Sequence, residues 1–160
     1  MRIKDKVYNK PNIEVIVIPR SNDDNIVLKA QAILDFEIFE KLVPEPKPPV
    51  KVKAGGEKVF NVEDPGFKSA VEQRQRLQTY WIVLKSLEAT DGLAWDTIDM
   101  GKPETWSNVE KELKSSGFSQ VEIARIIRGC LAANSLDEAR VEEARKSFLA
   151  QQREEQVKSV

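Results

Sequence analysis

The chain has 160 residues, of which 41% are apolar and 32% are charged, so it is long enough for one ordinary domain with a hydrophobic core. Its 25 basic and 26 acidic residues are interleaved and leave a net charge of −1, which gives no electrostatic case for binding nucleic acid. The absence of histidine and the single cysteine exclude Ser-His and Cys-His catalytic arrangements, a zinc site built from cysteine and histidine, and an intrachain disulfide.

The sequence also shows no sign of membrane insertion or export. No apolar run approaches the roughly 20 residues that a membrane-spanning helix needs, and residues 1–6 lead into no apolar signal segment. Cys130, the only cysteine, lies in an apolar stretch of a predicted helix, which favours a small buried residue over a reactive thiol. We therefore expect no membrane partner and a reducing, intracellular site of synthesis.

Two strand patterns open the chain. Residues 12–19 are rich in β-branched side chains and end at a proline, and residues 26–34 alternate with period two, which indicates a strand with one buried face. The polar residues 20–25 between them are typical of a turn. These features predict an antiparallel hairpin, which is marginal alone and has to pack on another element.

A short helix and a proline-rich segment follow. Asp35 is placed to cap a helix over residues 36–42, and four of the chain's eight prolines lie within residues 44–49. Proline fixes φ and lacks an N–H, so this segment is predicted to be a stiff, solvated polyproline II stretch. Its Pro-x-x-Pro frame is compatible with docking into a partner's aromatic groove, and the alternative is a rigid spacer. The candidate partner-binding prolines are Pro44, Pro46, Pro48 and Pro49.

Residues 50–53 and 58–62 predict a second, smaller hairpin or a flexible loop. Gly55 and Gly56 lie between them and suit a tight turn with positive φ. The pair lacks the glycine spacing and the strand-to-helix context of a phosphate-binding loop, so a turn is the favoured interpretation.

From Asp64 the periodicity becomes helical. Asp64 is followed by a proline at the first helical position, and an apolar stripe predicts a helix over residues 65–89 that ends at residues 90–92. The second half of this helix is apolar nearly all round and is expected to be the most buried part of the fold. We expect the first hairpin to pack against this long helix, because a lone hairpin cannot bury its apolar face.

Two further helices are predicted next. One begins at Pro103 and ends before Gly117. The other covers residues 120–133, and Ser119 with Glu122 forms a capping box at its start, in which the hydroxyl and the carboxylate each bind a backbone N–H of the other residue.

A second capping box predicts the last helix. Asn134 is expected in the left-handed position that ends the preceding helix, and Ser135 with Glu138 is expected to cap the next one. The tail, residues 151–160, is interpreted as solvated or disordered, with a partner-binding helix as the alternative. The side chains expected to face inward from this last helix are Leu136, Ala139, Val141, Ala144 and Phe148.

Three tryptophans lie in the helical region. Trp81, Trp95 and Trp106 are interpreted as one aromatic core cluster, and the alternative makes Trp95 or Trp106 an exposed anchor for a partner, because tryptophan is enriched in binding hot spots. Asp96 and Asp99 are favoured as loop-capping residues over catalytic ones, because nothing indicates the apolar cleft that an acid–base pair requires. We therefore predict no catalytic residue, no metal site and no cofactor.

Six blocks, within a span from about Ile26 to Leu149, carry a resemblance to a known family. They are residues 34–49, 80–87, 103–106, 116–119, 133–139 and 143–149. Together they resemble small proteins that tailed bacteriophages encode among their structural and tail genes, and that are described as tail assembly chaperones.

The resemblance implies a non-enzymatic role without an active site. In that role the protein either shields tail proteins before assembly or is built into the virion. A chaperone of this family holds apolar segments of its client on a helical surface. The β-rich first part of this chain departs from the mainly helical pattern, which favours a virion or connector component somewhat more than the family description does.

The combined prediction is an α+β fold with an N-terminal antiparallel β-hairpin region, a proline-rich strap and a C-terminal bundle of about four helices. The predicted divisions are residues 1–43, 44–63, 64–150 and 151–160. The expected partners are phage tail or other virion proteins, with self-association left open and with neither nucleic acid nor membrane. The expected location is the host cytoplasm, with the virion as the alternative.

Overall fold

The computed structural model describes residues 1–21 and 24–158 and confirms the α+β class, with an N-terminal hairpin and C-terminal helices. The chain folds into two compact units. Unit 1 consists of Met1–Ile33, Ser86–Leu93 and Ser119–Val160, and unit 2 consists of Leu34–Lys85 and Ala94–Phe118. Each unit is therefore assembled from segments that are distant in sequence.

Unit 1 begins with two antiparallel hairpins. The first is small and exposed, and pairs β1 (Arg2–Ile3) with β2 (Lys6–Val7). The second pairs β3 (Ile13–Ile18) with β4 (Ile26–Gln31) and confirms the hairpin predicted from the sequence. Strand β4 ends before the predicted limit, and Leu34 is exposed.

The predicted turn between β3 and β4 is described only in part. Asn22 and Asp23 lie outside the described residues. Next to them, Arg20 donates its backbone N–H to the side-chain oxygen of Asn25 at 3.3 Å. The described part of the turn thus shows the side-chain-to-backbone bonding that makes asparagine common in turns.

The inner face of the β3–β4 hairpin packs on α4 (Gln120–Ala133). The sequence predicted the long helix as the packing partner of this hairpin, and the partner that the structure shows within unit 1 is α4. A Cβ atom built on Gly129 would lie 2.5 Å from Cγ1 and Cδ1 of Ile16, so glycine is what lets α4 approach β3 so closely. The buried side chains of this contact are Ile16, Ile18, Leu28 and Ala30 of the hairpin and Ile123, Ile126, Cys130 and Ala133 of α4.

Helix α4 begins at the predicted capping box. The Ser119 hydroxyl accepts the backbone N–H of Glu122 at 3.3 Å, and the Glu122 carboxylate accepts the backbone N–H of Ser119 at 2.7 Å. Glu122 also forms an ion pair with Arg20. These hydrogen bonds from Ser119 and Arg20 hold the pKa of the Glu122 carboxyl below its usual value.

The end of α4 differs from the prediction by one residue. Asn134 has φ −90°, and Ser135 takes the left-handed conformation at φ 56°. The reason is that the Asn134 side chain is already engaged, because its Oδ1 accepts the N–H of Ile33 at 2.8 Å and its Nδ2 donates to Oγ of Ser86 at 2.8 Å. A left-handed backbone at Asn134 would point its side chain in another direction, and the hydrogen bonds to Ile33 and Ser86 would be lost.

The second predicted capping box is not formed. Helix α5 (Glu138–Lys158) begins after Asp137, whose Oδ1 accepts the backbone N–H of Arg140 at 3.4 Å, so Asp137 takes the capping role assigned to Ser135. The predicted inward face of this helix is also wrong, because Leu136, Ala139, Val141 and Ala144 are exposed. The side chains of Phe148 and of residues 151–160 lie outside the part that the structure describes.

Unit 2 contains the remaining elements. Asp64 accepts the backbone N–H of Phe67 at 2.9 Å, which confirms the predicted cap at the start of the long helix. The sequence predicted the second half of that helix to be the most buried part of the fold, and the structure shows Trp81, Val83 and Leu84 in it to be almost inaccessible. The elements are α1 (Glu37–Leu42), β5 (Val50–Val52), β6 (Lys58–Phe60), α2 (Pro65–Leu87, whose last two residues belong to unit 1), a 3₁₀ turn (Pro103–Thr105) and α3 (Asn108–Ser115).

Aromatic rings form the core of unit 2. The ring of Phe39 lies 5.6 Å from that of Trp81 and 6.2 Å from that of Trp106, and the ring of Phe36 lies 5.3 Å from that of Trp81. The Arg74 guanidinium lies 5.1 Å from the Phe39 ring centre, a cation–π contact. Within the described ranges, no helix combines the length and apolarity needed to cross a membrane.

Candidate protein-interaction surfaces

The outer face of the β3–β4 hairpin carries apolar side chains where polar ones are expected. A two-stranded sheet packed on one side normally alternates apolar and polar residues, with the polar ones facing water. Here the alternate residues of β3 are also apolar and about half exposed. Together with Val27 of β4, which pairs with Val17, we call them the hairpin face: Ile13 (47% exposed), Val15 (56%), Val17 (45%) and Val27 (50%).

The two outer edges of this hairpin differ. On β4, the Thr90 hydroxyl accepts the N–H of Lys29 at 2.8 Å and donates to the Lys29 carbonyl at 3.0 Å, so a side chain closes that edge. On β3, no described strand pairs with the other edge. The β3 edge is therefore the open one among the residues that the structure describes.

A groove of about 220 Å³ lies beside the open edge of β3. It is formed by Val15, Ile16 and Val17 on the strand side and by one face of α4, with the start of α5. Arg140 at that start forms an ion pair with Glu14 at 3.1 Å. The α4 residues of the groove are Arg125, Arg128, Gly129 and Ala132.

The proline segment of unit 2 is fixed at both ends. The Val43 carbonyl accepts a hydrogen bond from Nε of Arg74 at 3.1 Å, and the Pro49 carbonyl accepts the N–H of Asn61 at 2.8 Å. Between these points Pro44 and Pro49 are exposed, whereas Pro46 and Pro48 are half-buried. This attachment favours the rigid-spacer interpretation over a freely presented recognition motif.

The second hairpin forms another exposed apolar surface in unit 2. Strands β5 and β6 pair with Val50 opposite Phe60 and Val52 opposite Lys58, so these residues share one face. Val50, Val52 and Phe60 are between 57% and 70% exposed. The turn between the strands contains Gly56 at φ 81°, which confirms one of the two glycines predicted to adopt positive φ.

The tryptophans predicted as binding anchors occupy different environments. Trp106 is completely buried and its Nε1 donates to the Asp99 carbonyl at 3.2 Å, so it is a core residue and offers no surface to a partner. Trp95 is half-buried and is not part of the described ring cluster. Of the two, only Trp95 keeps surface that a partner could contact.

The carboxylate of Asp99, one of the two considered for catalysis, and the carboxylate of Glu112 both hold loops. Oδ1 of Asp99 accepts the Gly101 N–H at 2.8 Å, and this bond lowers the pKa of the Asp99 carboxyl against desolvation. Desolvation would raise the pKa of Glu112, but hydrogen bonds from Thr97 and from the Asp96 N–H outweigh it and lower the value. Lowered pKa values are the opposite of what a general acid at neutral pH requires.

Cys130 is a core residue of unit 1, as predicted. Its burial raises the pKa of the thiol to about 12, which disfavours the nucleophilic thiolate. Among the side chains that the structure describes, those of residues 1–21, 24–147, 149 and 150, no cluster of three or more histidine, cysteine or carboxylate groups is arranged to hold a metal ion.

Sequence reasoning missed the hairpin face and the groove. The signal for the hairpin face was present in the sequence, because residues 13–18 are apolar at both odd and even positions, except at Glu14. Both faces of this strand are therefore apolar, and α4 can cover only one of them. The groove could not be predicted from local sequence patterns, because it is formed by residues of β3 and α4 that lie more than a hundred positions apart in the chain.

Comparison of the chain with known protein families, with curated proteins and with solved structures gives no match. The interaction surfaces are therefore interpreted from their own geometry.

Proposed function

We propose that this protein is a non-enzymatic protein–protein interaction protein that acts in the tail assembly of a tailed bacteriophage, in the host cytoplasm. In this role it covers apolar segments of a tail protein until they are assembled. The observation that carries the proposal is the hairpin face, four half-exposed β-branched side chains on a well-packed unit. Contiguous apolar surface of this kind is typical of an interaction site.

The resemblance of six sequence blocks to tail assembly chaperones supports the choice of partner. The exposed apolar side chains of β5 and β6, next to the proline segment, supply a second contact candidate in unit 2. The proline segment then acts as a spacer that fixes where this hairpin begins.

Co-expression with a tail-tube or tape-measure protein tests the proposal. We expect the client to stay soluble and to elute in a complex, and we expect the double variant Val15→Thr/Val17→Thr to reduce both effects. Threonine keeps the β-branched shape but has a hydroxyl in place of one methyl group, so the strand should persist while the apolar surface is reduced.

The comparison variant is Val50→Thr/Val52→Thr, which makes the same change on side chains of similar exposure in the second contact candidate of unit 2. A loss of complex only with this variant would transfer the contact to the second hairpin. No complex and no change in client solubility with the natural chain would refute the chaperone proposal.

A second candidate function is a structural component of the virion. The observation that favours it is the β content of the N-terminal part, which departs from the mainly helical tail chaperones that the sequence resembles. Mass spectrometry of purified particles separates the two functions, because a chaperone should be absent from the particle and a component should be present at a fixed copy number.

A further inference from the structure

We infer that the open edge of β3 binds an extended segment of a partner protein as an added strand, and that this segment alternates acidic and apolar side chains. The inference rests on the proposed function, because it specifies the chemistry of the bound segment at one of its surfaces. It is carried by the pairing of β3, by the groove beside it and by the charges on α4.

The hydrogen-bond pattern shows which backbone groups of β3 point outward. The Ala32 N–H donates to the Asn12 carbonyl at 2.8 Å, so these residues form a hydrogen-bonded pair. In an antiparallel pair such positions alternate with positions whose N–H and C=O point away from the partner strand. With the observed register, the outward-pointing residues of β3 are Ile13, Val15 and Val17.

The opposite strand confirms this assignment. Lys29 stands opposite Val15, so its backbone groups should also point outward, and both of them bind the Thr90 hydroxyl. In the described part of the chain, no backbone hydrogen bond outside the hairpin and no further strand engages Val15 or Val17. An unpaired edge of this kind is a template for another strand.

The charges on α4 indicate what kind of segment binds at the open edge of β3. Two acidic side chains in the groove are already engaged, Glu14 by Arg140 and Asp137 by the backbone of α5. Arg125 and Arg128 are exposed, and neither forms an ion pair with the described side chains, those of residues 1–21, 24–147, 149 and 150. An added strand that presents carboxylates on its α4 side would neutralise them.

The other face of the added strand would continue the hairpin face. Side chains of a strand alternate between its two faces, so every second residue of the bound segment would lie beside Val15 and Val17. Apolar β-branched residues suit those positions, because they extend an exposed apolar surface across the new strand pair. The occupant is thus a segment of about six residues with alternating Val-like and Glu-like side chains.

Synthetic peptides test the inference directly. The probe is a blocked peptide of alternating valine and glutamate, and binding is followed by backbone NMR shifts of the natural chain. We expect shifts at β3 and at the arginine face of α4. A peptide with lysine in place of glutamate, and one N-methylated at the amides that would face β3, should not bind. A peptide N-methylated on the opposite edge should bind as the parent does.

A double variant and its control measure how much the two arginines of α4 contribute to peptide binding. Arg125→Ala/Arg128→Ala should weaken binding of the valine–glutamate peptide roughly 3- to 10-fold, the effect of two exposed ion pairs. The control is Arg76→Ala/Lys114→Ala, which removes the same charge from exposed positions of unit 2 and should leave the affinity unchanged. Equal weakening by both pairs, or tight binding of the lysine peptide, would overturn the inference.

The oligomeric state of the natural chain is measured with and without the peptide. A dimer whose interface maps to β3 and which the peptide does not dissociate would assign the edge to a second copy and overturn the inference. If a tail protein forms a complex but the peptide does not bind at β3, only this inference fails. If the peptide binds at β3 but no tail protein is bound, the proposed function fails and the strand-addition site stands.

Discussion

Replacing Gly129 by alanine should destabilise unit 1, although the same change stabilises most helices. In the interior of a helix alanine is more favourable than glycine by about 1 kcal/mol. At this position, however, the new Cβ would lie 2.5 Å from both Cγ1 and Cδ1 of Ile16, where 3.4 Å is an ordinary contact. Ile16 is 4% exposed and β-branched, so it has little freedom to move aside.

The expected magnitude follows from these two effects. Forcing an extra methyl group into a packed core costs about 1–3 kcal/mol, and the overlap with two atoms places this case near the upper end. After subtraction of the helix-propensity gain, Gly129→Ala should lower the free energy of unfolding of unit 1 by about 2 kcal/mol. The control Ala124→Gly, at an exposed position of the same helix, should lower it by about 1 kcal/mol through propensity alone.

The two units allow separate readouts. All three tryptophans belong to unit 2, so their fluorescence reports on that unit, whereas the only thiol, Cys130, is buried in unit 1. The rate at which a thiol reagent labels Cys130 in urea therefore reports on the opening of unit 1. Gly129→Ala should speed the labelling of Cys130.

A double-mutant cycle isolates the contact. Ile16→Ala alone should cost about 2–5 kcal/mol, because it leaves a cavity. In that background the clash is gone, so Gly129→Ala should be neutral or stabilising by up to about 1 kcal/mol. If Gly129→Ala stabilises unit 1 in the natural background, the close packing of α4 on β3 is wrong. If its effect is the same in both backgrounds, Ile16 is not the cause.

Three further outcomes are expected in unit 1. Thr90→Val should lower the free energy of unfolding by about 1–2 kcal/mol, measured by thiol labelling, because the N–H and C=O of Lys29 lose their partner; an unchanged value would show that water replaces the hydroxyl. Ser119→Ala should cost about 1 kcal/mol and raise the pKa of Glu122, followed by carboxyl NMR titration. Since burial raises the thiol pKa of Cys130 from 9.0 to about 12, unfolding releases a proton above pH 9 and stability should fall there; Cys130→Ala should lose this part of the alkaline slope.

Local rules predicted most elements of the fold because their signals lie within a few residues. Asp64 with Pro65 fixes the start of α2, and Ser119 with Glu122 fixes the start of α4, through hydrogen bonds that span one turn of helix. Such bonds need only residues within one turn of helix, so the local sequence was sufficient where no distant contact competed with them.

The same local rules failed where contacts between residues far apart in the sequence determine the structure. Ser135 and Glu138 match the capping-box pattern, yet Asn134 is committed to Ile33 and Ser86 and places the left-handed residue one position later. The apolar residues at the start of α5 predicted a buried face, but nothing in the local sequence states whether a surface exists to cover it. Tertiary contacts override weak local preferences in both cases.

Helix α4 shows why the candidate site depends on the same packing as the fold. Its buried side carries Ile126 and Cys130, whereas its groove side carries Arg125, Arg128 and Gly129. Because Gly129 has no side chain, the helix lies close enough to β3 for the neighbouring arginines to flank the open strand edge. A larger residue at 129 would therefore strain Ile16 and fill the groove together, whereas removal of an arginine would change the charge alone. Comparing peptide binding by the Gly129→Ala and Arg128→Ala variants separates shape from charge in what selects the added strand.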